Sequence, residues 1–157
     1  METVFRVGAP LDEVFAPRHV VNARLGETFE LAGWELDRAL IAPGESAILT
    51  LYWRTLAITD ADHHVFAHLG DDPVLAQIDS VPRCGERPTY QWLAGEQVVD
   101  RYQITVRADA TPGVYPLRAG MYDAGTDKRL VIVDAQGADL GKSLLLGQIR
   151  VGRPDLA

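Results

Sequence analysis

The stretch Ala94–Tyr122, AGEQVVDRYQITVRADATPGVYPLRAGMY, constrains the fold more than any other part of the chain. It holds two extended runs joined by a sharp corner at Asp109-Ala110-Thr111-Pro112-Gly113-Val114-Tyr115. Gln97 to Arg107 is rich in Val, Tyr, Ile and Thr, which pack well on a pleated surface and disfavour a helix. Pro112-Gly113 then breaks the run, Pro by fixing φ and Gly by tolerating a positive φ. Tyr115 stands two residues after that glycine, where the second run begins. This is the placement of a tyrosine corner, whose hydroxyl bonds back to the preceding backbone and locks one strand of a two-sheet sandwich. The expected partner is backbone near Asp109 or Ala110.

The rest of the chain repeats the same grammar. Expected strands cover 28–36, 48–55, 64–69, 74–79, 97–107, 115–122, 129–133 and 144–151, with turn residues between them and no convincing amphipathic helix. Thr28–Leu36 carries apolar residues on both faces and should bend at Gly33. Ile48–Thr55 reads as a central strand. Residues 1–25 read as an irregular lead-in with a short edge strand at Val4–Val7, and 134–141 as a polar loop. The expectation is a single antiparallel β-sandwich domain over 1–157, with its core in 28–151 and about eight strands; a closed barrel uses the same alternation and competes. Leu49, Leu51, Trp53, Ile104, Val106, Tyr115, Leu117 and Met121 fall at alternate positions and form the candidate core.

At 157 residues the chain is long enough to bury a core without staples. Its net charge of -7 offers no basic stripe for phosphates, which argues against nucleic acid and against an anionic membrane surface. No apolar run approaches the roughly 20 residues of a bilayer span, so direct membrane insertion is not expected. The N-terminus lacks the basic start and apolar stretch of a signal peptide. Either the protein is cytoplasmic or this is a piece of a longer exported or membrane protein. Cys84 stands alone, so no internal disulfide forms.

Several strings recur in this order in one group of bacterial domains: LTLYWRT, VFAHL, AQIDSVP, PTYQWLAGEQVVDRYQI, PGVYPLRAGMYD and KRL. Over roughly Thr28–Val151 the chain resembles the uncharacterised β-sandwich domains appended to large multi-pass membrane proteins of the glycosyltransferase type. That resemblance implies an immunoglobulin-like or jelly-roll-like sandwich at the cell envelope near glycan chemistry. It carries no catalytic residues, and the membrane-spanning part is missing here.

The most suggestive chemistry surrounds the loop Ser80–Ala94, where Gln77, Asp79, Arg83, Thr89, Tyr90, Trp92, Glu96 and Asp100 mix flat rings with donors and acceptors. A sugar site needs rings for the apolar face of a pyranose and directed polar groups for its hydroxyls. On that reading Tyr90 and Trp92 form a stacking surface, with Asp79, Arg83 and Asp100 supplying hydrogen bonds. The plainer reading has Asp79 and Thr89 satisfying loop amides and Trp92 plugging one end of the core. An exposed, coplanar Tyr90–Trp92 pair would favour sugar; buried rings would favour assembly.

Other clusters carry less. His64 and His68 lie on one face of a strand but about 13 Å apart at ~3.3 Å per residue, too far to share a zinc ion. Asp134 and Asp139 flank a Gly-containing loop without the further acidic ligands of an EF-hand. No G-x-S-x-G elbow is present, and Ser46, Ser80 and Ser143 have no evident base. No metal and no cofactor is expected, and no enzymatic activity. The function expected is a non-catalytic accessory module binding carbohydrate, or a structural domain docking on a parent membrane protein or on copies of itself.

Overall fold

A computed structural model describes residues 14–153. In chain order the strands among them are β1 (His19–Leu25), β2 (Phe29–Leu36), β3 (Leu40–Ile41), β4 (Ser46–Thr55), β5 (His63–Leu69), β6 (Ala76–Ser80), β7 (Gln97–Thr105), β8 (Gly113–Asp123), β9 (Lys128–Arg129), β10 (Ile132–Val133), β11 (Asp139–Gly141) and β12 (Leu144–Val151). A kinked turn at Pro82–Gly85, with left-handed backbone at Arg83 and Cys84, and a single 3₁₀ turn at Thr89–Gln91 are the helical pieces among the described residues.

The strands form two six-stranded sheets. One runs β3-β12-β8-β5-β6, with β9 hooked onto β8; the other runs β11-β10-β1-β2-β4-β7. Every pairing is antiparallel except the short β3–β12 contact. The sheets pack face to face, so the fold is a β-sandwich, as the strand spacing predicts.

The core follows the period of two. Leu49, Leu51 and Trp53 of β4 and Val98, Tyr102 and Ile104 of β7 point inward from one sheet. Val65, Ala67 and Leu69 of β5 meet them with Leu117, Ala119 and Met121 of β8. All the expected core residues are buried except Tyr115, which is half-buried against the core edge. The apolar outer face of β4 is covered as well: Tyr52 packs with Ala32 and Val99, and Phe15 meets its ring edge-on at 5.4 Å. The corner forms as expected, with the hydroxyl of Tyr115 donating to a backbone carbonyl, but that carbonyl belongs to Thr111.

Three expectations need correction. Residues up to 25 are not all irregular: β1 is a full strand, and Ala23 and Leu25 belong to the core. Asn22 adopts a left-handed backbone at φ 57°, and the register slips between Val20 and Ala23. That bulge interrupts the alternation that would have revealed the strand. The run 129–133 is split, since β9 stays with β8 while β10 crosses to pair with β1. Within the stretch 134–141, β11 extends that second sheet. The expected bend at Gly33 is present as a register slip between Leu31 and Gly33, where a side chain would run into the backbone of His19 and the ring of Pro17. The expected Val4–Val7 strand lies outside the described residues.

Candidate functional site

The loop between β6 and β7 is built like a bracket. Pro82 opens the kinked turn, and Pro88 stands immediately before the 3₁₀ turn Thr89–Gln91. The hydroxyl of Thr89, fully buried, donates to the carbonyl of Ala61 and accepts from the amide of His63, both at 2.9 Å. Arg87 grips both carboxylate oxygens of Glu96 and donates to the carbonyl of Gln91, while Glu96 also accepts from the amide of Leu93. A bidentate, half-buried pair of this kind fixes orientation as well as distance. The loop is therefore held rigidly from both ends.

That bracket separates the residues expected to form one site. Trp92 is 1% exposed, donates its indole N–H to the carbonyl of Arg87 at 2.9 Å, and meets Phe29 edge-on at 5.4 Å. It seals one end of the core and offers no stacking surface. Asp100 is likewise closed to ligands. It lies on the inner face of β7, fully buried, accepting from the indole of Trp53 at 3.1 Å and from the amide of Arg83 at 2.7 Å. Burial pushes its carboxyl up to about 6, and the bonds from the Arg83 amide and the Trp53 indole only partly offset that. Asp100 thus ties the Pro82–Gly85 turn to the core.

Arg83 is bound to Asp100 through its backbone amide, while its side chain lines a small 260 Å³ pocket with Cys84, Glu86, Val99 and Arg101 and makes a long contact from its guanidinium to the carbonyl of Val99. Asp79 lies on the outer face of the other sheet, where it accepts the hydroxyl proton of Tyr122 at 2.6 Å. The five residues do not converge on one place.

Tyr90 does remain on the surface, 51% exposed. It lines an open groove of about 750 Å³ together with Ile58, Thr59, Asp60, Gln91 and Leu93, floored by Trp92. Ile58 and Leu93 are exposed, so three apolar side chains stand beside the polar ends of Thr59, Asp60 and Gln91. The turn between β4 and β5 supplies half of this groove, and the sequence reading passed over it. The signal was available: Leu56 and Ile58 are apolar residues in a turn that has no structural use for them, and both are exposed.

The remaining clusters resolve as follows. His63 points inward against Phe29, and burial lowers its pKa. His64 and His68 face outward from β5; burial, and then Arg129, lowers His68. Asp134 accepts the amides of Gln136 and Ala138, and Asp139 that of Gly141, so these carboxylates cap their own loop. No three His, Cys, Asp or Glu side chains gather as a metal site among the described residues. The hydroxyl of Ser46 pairs with Thr105 and Gln103, and that of Ser80 donates to the carbonyl of Val81.

No protein-family model and no curated protein matches the chain. Solved structures do. The C-terminal domain of wzt is similar over 92% of this chain and 90% of its own, with a TM-score of 0.58 and 12% sequence identity. A CARDB domain from Pyrococcus furiosus, solved with di-metal ions, matches 91% of this chain and 99% of its own at TM-score 0.45 and 11% identity. A Niemann-Pick type C2 protein from Japanese carpenter ant matches at TM-score 0.47 and 7% identity, covering 84% and 97%. At such low identities the likeness speaks for the fold, and the first of these neighbours agrees with the strand order in placing this chain among the β-sandwich domains.

Proposed function

We propose that this domain is a non-catalytic accessory module that binds carbohydrate in the groove beside Tyr90. One observation carries the reading: an exposed aromatic ring and two exposed aliphatic side chains stand beside the polar ends of Thr59, Asp60 and Gln91 on a rigid floor. A pyranose presents an apolar face ringed by hydroxyls, and such a shelf answers both parts. The floor needs no reorganisation, because Trp92 and the Arg87–Glu96 pair already hold the loop in place. The resemblance to domains appended to glycosyltransferase-like membrane proteins supports the same reading, with a setting at the cell envelope as part of the proposal. Its neighbour from wzt is, as its name says, a terminal domain of a longer protein.

The same exposed apolar side chains also support a docking reading, with the parent protein or a second copy seated on Ile58, Tyr90 and Leu93. A polysaccharide array and sedimentation velocity separate the two. Carbohydrate binding predicts retention on at least one polysaccharide, lost in Tyr90→Ala, with the protein monomeric throughout. Concentration-dependent dimers abolished by Tyr90→Ala, with no polysaccharide retained, would favour docking instead.

A further inference from the structure

The outer face of β5, β6 and β8 carries a row of polar side chains that the groove does not use. Tyr122 donates to Asp79 at 2.6 Å, and its oxygen stands 3.3 Å from Nδ1 of His64. Nε2 of His64 in turn stands 3.3 Å from a carboxylate oxygen of Asp62. The row is cross-strand in register: His64 pairs with Tyr122, and Asp79 stands opposite Phe66. The bond to Asp79, with burial second, pushes the Tyr122 phenol up to about 12, so it stays neutral near pH 7.

Beside the row the face is kept low. The ring of Phe66 lies against Gly120, where any side chain would collide with it, and the guanidinium of Arg129 covers that ring at 4.2 Å. Gln77 stands exposed next to Asp79 on β6.

The row and the groove adjoin through one short segment. Thr59 and Asp60 line the groove, while Asp62 and His64 begin the row. Two residues of chain reach no farther than about 7 Å, so the two surfaces are neighbours. Asp62 is fixed at this junction, its carbonyl accepting from the amide of Ala124 at 2.9 Å.

We infer that this row is a second part of the carbohydrate site, and that the ligand is a neutral, hydroxyl-rich chain passing from the Tyr90 groove over Asp62, His64, Tyr122 and Asp79. The inference rests on the groove reading above. Charge chooses the ligand class. The chain carries a net -7, yet on this face Asp71 is paired with Arg118 at 3.4 Å, and Arg129 lies among the same strands. Asp62, Asp71 and Asp79 outnumber the two guanidiniums, and Asp127 adds negative charge near Tyr122, leaving no excess positive charge to hold a uronate or phosphate. An ionised carboxylate accepts about four hydrogen bonds, so Asp79 keeps capacity for sugar hydroxyls after accepting from Tyr122.

The test uses the whole chain on immobilised neutral polysaccharides (mannan, galactan, dextran) and acidic ones (alginate, polygalacturonate), with Tyr90→Ala, Tyr122→Phe and Asp79→Asn alongside. Circular dichroism and thermal melting establish that each variant is folded. The expectation is retention on a neutral polymer that is indifferent to added salt, weakened roughly tenfold in Asp79→Asn and several-fold in Tyr122→Phe, as loss of a hydrogen bond to a charged group implies. If only Tyr90→Ala weakens binding, the row is a cross-strand brace and the inference fails while the groove stands. Retention confined to acidic polymers, or released by salt, overturns the neutral class. A wild type that binds none of them overturns both.

Discussion

Replacing Asp100 by Asn tests the assignment of that carboxylate to the core. Its carboxyl titrates at about 6 in the folded protein, against an ordinary 3.8. The difference of 6 − 3.8, or 2.2 units, corresponds to about 3 kcal/mol at ~1.36 kcal/mol per unit. Because the folded pKa is raised, the folded state binds the proton more tightly than the unfolded chain. The group's stabilisation is complete below its unfolded pKa and is lost as pH rises through about 6. Urea unfolding of wild type and Asp100→Asn at matched pH values isolates this contribution, since the other carboxylates are common to both. The difference in unfolding free energy should move by about 2 kcal/mol in favour of the wild type between about pH 7.5 and pH 4. At neutral pH the variant escapes the buried charge but leaves one of the donors from Trp53 and Arg83 without an acceptor, a cost of about 1–3 kcal/mol. The two proteins should then be close in stability. Parallel pH profiles across that range would refute the reasoning and mean that Asp100 is hydrated.

Two further outcomes follow from the same structure. Trp92→Ala should cost about 3–5 kcal/mol in denaturant unfolding, as removal of a buried Trp from a packed core does, whereas a surface platform residue would cost well under 1 kcal/mol. Tyr115→Phe should cost about 1 kcal/mol through the lost bond to the carbonyl of Thr111, and an unchanged midpoint at unchanged slope would count against the corner.

The sandwich was legible in the sequence because its signals are local. Alternation through Ile48–Thr55 places Leu49, Leu51 and Trp53 inward, and Pro112-Gly113 ahead of Tyr115 marks the corner; the structure has all of these. What the sequence hid is what backbone irregularity hides. Asn22 shifts the alternation of β1, and the chain leaves one sheet for the other between Arg129 and Ile132 without a turn motif. The site was harder, since a loop rich in aromatic and polar residues reads alike whether they face out or in. Tyr90 and Trp92 are two residues apart, yet the turn at Thr89–Gln91 sends one outward and the other into the core. Asp100 had the pattern of a ligand-binding carboxylate but lies on the inward-facing side of β7, in line with Val98, Tyr102 and Ile104. Ile58 and Asp60 join Tyr90 only through folding, and no spacing in the sequence links them.

The central claim is that ligand meets this domain at the Tyr90 groove, and the most direct measurement is an amide chemical-shift titration with whichever polysaccharide the array retains. Saturable shifts are expected at residues 58–62 and 89–93 and at the adjoining ends of β5, β6 and β8, absent in Tyr90→Ala. Shifts centred on another surface, or shifts that survive Tyr90→Ala unchanged, would contradict it.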